Sequence, residues 1–189
     1  MTSPFLLDTN AYALLFQSLK TEEHRKLEEL IKVEGGMDFF LPEIVCMEIH
    51  SVIGKYLRGG VAETQEQCNK SIVIENAISA CLHTCYTAKR SRMKARVFKG
   101  LQKLMGDIES RNGSIKATVL PTGPEEFSMA KNLLRMFSCR YSFGSHDALV
   151  AATVLSARRK GKNITLVTSD KGLKAACRDV GVPIVDPKD

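Results

Sequence analysis

Short apolar runs, each followed by a longer stretch of helical period, leave this 189-residue chain few folds to choose from. The runs are Pro4-Phe5-Leu6-Leu7, Phe39-Phe40-Leu41, Ala117-Thr118-Val119-Leu120, Ile164-Thr165-Leu166-Val167-Thr168 and Pro183-Ile184-Val185. Each is too short for a buried helix and is bounded by turn or capping residues, so each reads as a buried strand. Between them the spacing predicts helices. One runs from Ala11 to about Leu19, capped by Thr9-Asn10, and a second begins at Thr21 and is ended by Gly35-Gly36. A third is opened by Pro42, and others cover Glu125 to about Phe137, Ser145 to about Lys160, and Lys171–Val180. Strands alternating with helices imply an α/β fold with a mostly parallel sheet covered on both faces.

The segment of about residues 61–111 breaks this rhythm. Ile74, Ile78, Cys81 or Leu82, and Cys85 recur at helical spacing, as do Val97, Leu101, Leu104 or Met105, and Ile108. The segment therefore reads as a long helical insertion, a helix pair or one bent helix. Its second half holds Lys89, Arg90, Arg92, Lys94, Arg96, Lys99 and Lys103 with no acid among them. The chain has 27 basic and 21 acidic residues, so without those seven it is neutral to within one charge. A positive field this local suits a polyanion such as RNA; the plainer alternatives are a solvated helix face or a seat for an acidic partner. The six cysteines form no CxxC pair and sit mostly among apolar neighbours, as reduced cysteines do. No apolar run approaches a membrane span and no leader signature is present, so a cytoplasmic protein without membrane contact is expected.

Four acids stand where a parallel sheet would bring carboxylates together. Asp8 ends the first strand, Asp170 follows a later strand by two residues, Asp147 lies in the first turn of a helix, and Glu48 lies on another. Ligands of such sheets bind beyond the carboxyl ends of the strands. Taken singly, Asp8, Asp147 and Asp170 are also ordinary turn or capping residues. Glu48 is less easily explained that way. Ile44, Val45, Ile49, Val52 and Tyr56 mark the apolar face of its helix, and Glu48 falls inside that stripe while Glu43 falls outside it. A core-facing glutamate needs a partner or a metal. Gathered carboxylates repel unless a cation holds them, and Mg²⁺ or Mn²⁺ takes oxygen ligands with retained water. Such an ion can supply an acidic water for attack on phosphorus. Thr9, Asn10, Thr168 and Ser169 are candidates for orienting the acids or their waters. His146 points about 100° from Asp147 on the helix and is peripheral.

Leu6-Leu7-Asp8-Thr9-Asn10, Glu48 on its helix, His146-Asp147-Ala148-Leu149-Val150-Ala151-Ala152 and Thr168-Ser169-Asp170-Lys171-Gly172 together resemble the PIN domain. The closest similarity is to toxin ribonucleases of the VapC type, over residues 1–60 and 115–189. The resemblance implies a single domain over residues 1–189, a three-layer α/β/α sandwich carrying the insertion. It implies an Mg²⁺- or Mn²⁺-dependent endoribonuclease with Asp8, Glu48, Asp147 and Asp170 as catalytic metal ligands, Asp170 directly or through water. It further implies the toxin role, an inhibiting antitoxin partner and a homodimer. The insertion departs from the compact toxin pattern. It keeps open a second reading, an RNA-binding or RNA-processing factor with weak or no nuclease activity. A haloacid-dehalogenase-like phosphatase fits poorly, because its second aspartate position holds Asn10.

Overall fold

The computed structural model describes residues 4–17, 19–59, 65–67, 71–74, 77–80, 84–86 and 92–189. By contacts the chain divides into two compact units, residues 1–50 with 100–189, and residues 51–99.

The first unit is built on a parallel sheet. Its strands are β1 (Phe5–Leu7), β3 (Gly36–Pro42), β8 (Ile115–Leu120), β9 (Thr165–Val167) and β10 (Ile184–Val185), in the spatial order β10-β9-β1-β3-β8. The register pairs Leu6 with Phe40 on one side and with Leu166 on the other, and Phe40 in turn with Thr118. A two-residue strand, β2 (Lys32–Val33), pairs antiparallel with the start of β3. Successive residues of a strand point to opposite faces, and Leu6 with Leu7, and Leu166 with Val167, are each fully buried. Both faces of the sheet are therefore covered, as a purely parallel arrangement requires.

From β1 the chain steps outward through β3 to β8, then returns to the opposite side of β1 for β9 and β10. Strand order thus reverses between β1 and β9, and in such sheets the crevice opens at the carboxyl ends of the two strands flanking the reversal.

The helices of this unit follow the expected segments, with shifted ends. Helix α1 covers only Thr9–Leu14, shorter than expected, and is capped by Asp8 rather than Thr9 or Asn10. Helix α2 (Glu22–Ile31) is capped by Thr21, whose hydroxyl accepts from the His24 N–H. It stops at Ile31, not at the glycines. Gly35 and Gly36, both with positive φ, instead turn β2 into β3. Helices α5 (Pro124–Phe137) and α6 (Ser145–Arg159) pack on each other, and α7 (Lys171–Asp179) follows β9. Helix α6 is buried almost all round from Ala148 to Ala157, hence its run of alanines. Glu126 is buried on α5, where it accepts from the Gly123 N–H and the Ser156 hydroxyl, the latter chiefly holding its carboxyl below the usual range.

Helix α3 (Glu43–Arg58) and helix α4 (Ala95–Glu109) run from one unit into the other. On α4 the expected face is buried at Met105 and Ile108, whereas Val97, expected on the same face, is 50% exposed.

In the second unit the reading of residues 61–111 as helical throughout is corrected. Gln65–Gln67 (β4) pairs antiparallel with Thr84–Tyr86 (β7), and Ser71–Ile74 (β5) with Ala77–Ala80 (β6). The apolar residues of this stretch recur four apart. Spacing of four suits one face of a helix, yet here Ile74 and Ile78 stand on different strands of a hairpin, Ile78 paired with Val73 and Ile74 with Ala77. The β-branched run Ile72-Val73-Ile74, with Ile78 beyond it, tips that balance toward extended chain. Among the described residues of the segment, only Ala95–Glu109 is helical. Arg92 donates from Nε to the Leu57 carbonyl at 3.2 Å, and Met93 N–H to that of Tyr56 at 2.9 Å. Of the basic cluster, Arg92, Lys94, Arg96 and Lys99 are exposed in this unit and Lys103 is exposed in the first, while Lys89 and Arg90 lie outside the described residues. No helix among the described residues is long and apolar enough to cross a membrane.

Candidate active site

At the reversal of strand order the backbone leaves β1 directly into α1, and Asp8 occupies that corner. Its Oδ1 accepts from the Ala11 N–H at 2.7 Å, which caps α1, and its Oδ2 accepts from the Thr168 hydroxyl at 2.5 Å. Thr168, at the end of β9, is fully buried and also accepts from the Asp170 N–H at 3.0 Å. One hydroxyl therefore couples Asp8 to the turn that positions Asp170. Asp170 in turn caps α7, its Oδ1 accepting from the Leu173 N–H at 2.7 Å.

Asp147 enters from α6. Gly144 precedes that helix, and its N–H donates to Asp147 Oδ2 at 2.8 Å, which fixes the carboxylate in the first turn. Glu48 arrives from α3 and accepts a hydrogen bond from the Thr9 hydroxyl. The buried face of that helix is rotated from the expected stripe. Val45, Cys46, Ile49 and Ile53 are buried and Tyr56 is 41% exposed, so Glu48 stands half-buried at the margin of the core rather than in it. Glu43 is exposed and accepts from the Thr122 N–H at 3.0 Å.

The electrostatics tie the four acids together. Burial, only 4% of Asp8 being exposed, pushes its carboxyl up to about 6, with Asp170 and Asp147 adding to the rise. The Ala11 and Thr168 hydrogen bonds oppose it. The Asp147 carboxyl is raised by burial first, then by Asp170 and Glu48; the Gly144 N–H and His146 pull the other way. Asp8 and Asp147 thus lie in a field made by the other acids, without a protein cation buried among them in the described residues. Exposed His146 contributes only a weak opposing charge.

The donor set suits a hard divalent cation. All four side chains offer oxygen, and Asp147 Oδ1, Asp170 Oδ2 and Glu48 Oε1 accept no hydrogen bond from the described residues. Among the described residues no three His, Cys, Asp or Glu side chains are already arranged as a metal cage.

The four residues expected to orient the acids are placed differently from one another. Thr9 serves Glu48 and Thr168 serves Asp8, whereas Ser169 donates to Asp186 Oδ1 at 2.6 Å and exposed Asn10 lines a groove beside Asp170. Asp186 is a residue that the sequence pattern alone does not bring forward. Its carboxylate also accepts from Lys174 and from the Lys188 N–H, and these donors outweigh burial and hold it down at about 2. A signal is nonetheless present, since Asp186 follows β10 directly, just as Asp8 follows β1. The described cysteines, Cys46, Cys139 and Cys177, are free thiols.

No protein-family model and no curated protein matches the chain. Solved structures do. The FitAcB structure from Neisseria gonorrhoeae aligns with a TM-score of 0.59 at 13% identity, over 97% of this chain and 98% of that one. The DNA-bound VapBC structure from Salmonella typhimurium aligns at 0.55 and 16%, over 99% of both chains. A toxin-antitoxin complex from Klebsiella pneumoniae aligns at 0.52 and 14%, over 96% of both. At such identities the likeness speaks for the fold alone. The chain accordingly has the α/β fold of these solved structures, the PIN-type fold that its acidic motifs resemble.

Proposed function

We propose that this protein is an Mg²⁺- or Mn²⁺-dependent endoribonuclease, the toxin of a toxin-antitoxin pair. The observation that supports the reading is that Asp8, beside the strand-order reversal, is raised by burial and then by Asp170 and Asp147, and Asp147 by burial and then by Asp170 and Glu48. A strongly raised carboxyl beside further acids marks a candidate functional site, and a divalent cation would relieve it. Asp8, Asp147, Glu48 and Asp170 would hold the ion, and when bound it supplies charge for the phosphoryl oxygens and an acidic water. The chain's own residues contribute position. Thr168 and the Ala11 N–H orient Asp8, the Gly144 N–H orients Asp147, and Thr9 orients Glu48. The similar solved chains come from complexes described as toxin-antitoxin and VapBC, which supports an antitoxin as partner and a dimer as assembly.

Asp147→Asn is expected to lower cleavage of a mixed structured-RNA pool in Mg²⁺ or Mn²⁺ by about 100-fold or more, since it removes one of few charged donors. Equal inactivity of native and variant proteins, with RNA binding intact, would instead favour the RNA-binding factor.

The exposed Arg92, Lys94, Arg96 and Lys99 support the same substrate class. Replacing all four by Ala is expected to weaken RNA binding and to flatten the slope of log K against log salt by roughly 0.7 for each phosphate no longer neutralised. An unchanged slope in fluorescence anisotropy would remove the cluster from the RNA-binding surface.

A further inference from the structure

Beside Asp170 lies an open groove of about 610 Å³ whose wall includes Asn10, Gln17, Glu23, Asp170, Lys171 and Lys188. It begins where the acidic site ends. Asp170 is common to both, and Asn10 belongs to the first turn of α1, which Asp8 caps.

Two features give the groove a chemistry. Lys171 and Lys188 are exposed, and neither forms an ion pair within 4 Å among the described residues, although other surface lysines such as Lys20 and Lys160 do. Lys188 is also held in place by a built device. The nearly buried Asp186 carboxylate binds the Ser169 hydroxyl, the Lys174 ammonium and the Lys188 backbone N–H, and so pins the chain's last turn against the residue before Asp170. Lys26 Nζ adds a tie from α2 to the Asp189 carbonyl at 3.0 Å. The wall's two carboxylates, Glu23 and Asp170, balance its two lysines.

Building on the nuclease reading, we infer that this groove seats the nucleotide next to the scissile bond, with Lys171 and Lys188 bracketing its phosphodiester. Asn10 and Gln17 offer amide donors and acceptors to the nucleotide's polar edges.

The test couples one phosphate to two side chains. A short RNA that the protein cuts is made with a single neutral methylphosphonate at each position in turn, and kcat/KM is measured in Mn²⁺. Native protein is expected to lose about tenfold at one phosphate within two nucleotides of the cut. In K171A/K188A the unmodified RNA loses a similar factor and the methylphosphonate costs nothing more, whereas K171R/K188R keeps the native penalty. The same scan of Kd in EDTA reads the seat without cleavage. A penalty equal in native and K171A/K188A proteins at every position overturns the seat. Absence of cleavage with every divalent ion would count against the nuclease reading instead, and the EDTA scan would still decide the seat.

Discussion

Asp8→Asn is expected to abolish cleavage and, with no divalent ion present, to make the protein more stable at neutral pH. The sign follows from the direction of its shift. The native carboxyl titrates at about 6, against 3.8 for an unperturbed aspartate. Below pH 3.8 both folded and unfolded chains are protonated there, and the native state carries no penalty. As pH rises from there the unfolded chain releases its proton first, so stability falls, and the loss is complete once pH passes about 6. The gap corresponds to about 3 kcal/mol at neutral pH. Asparagine carries no charge to desolvate, and its carbonyl can still accept the Ala11 N–H that caps α1. The variant should therefore melt roughly 5–10 °C above the native protein at pH 7.5 in EDTA, with the difference shrinking toward pH 4. Added Mn²⁺ should raise the melting temperature of the native protein more than that of the variant. Parallel melting curves for the two proteins from pH 4 to 8 would show that Asp8 carries no such penalty.

Gly172→Ala is expected to destabilise the protein by more than about 3 kcal/mol, a fall in melting temperature near 10 °C for a chain of this size. Helix propensity alone predicts the opposite. Gly172 is the second residue of α7, and alanine is favoured over glycine in a helix by at most about 1 kcal/mol, the value for its interior. Close approach decides the matter. A Cβ on Gly172 would stand 1.8 Å from the Ser142 carbonyl oxygen and 2.6 Å from its carbon, backbone atoms that cannot rotate aside. The segment joining α5 to α6 would have to withdraw. That segment leads into Gly144, whose N–H fixes Asp147, so the acidic site would loosen with the fold. Thermal melting of the variant settles it, since a rise in melting temperature would show that the close approach yields at no cost.

The two substitutions also separate what is legible in the sequence from what is not. Asp8 can be found because its role begins locally, as the residue where an apolar run stops and a helix starts. Asp170 and Asp147 are visible for the same reason, since their capping and first-turn bonds reach only three residues along the chain, to Leu173 ahead and Gly144 behind. Glu48 is legible in part. Its periodicity brings it toward the core, but the rotation of the buried face of α3 leaves it at the margin, within reach of Thr9. The insertion is illegible to periodicity because Ile74 and Ile78, spaced as on a helix face, belong to two strands whose pairing, Val73 with Ile78, no spacing along the chain reveals.

The sequence by itself determined the alternation of buried strands and helices and the parallel α/β class, because those rest on short-range pattern and on the cost of burying charge. Only the tertiary structure decided that β9 returns beside β1, that Thr168 bonds an aspartate 160 residues away, that Ser142 presses on Gly172, and that Asp186 pins Lys188 beside Asp170. These are meetings of distant segments, chosen by how the sheet closes over its core, and no window of local pattern contains them.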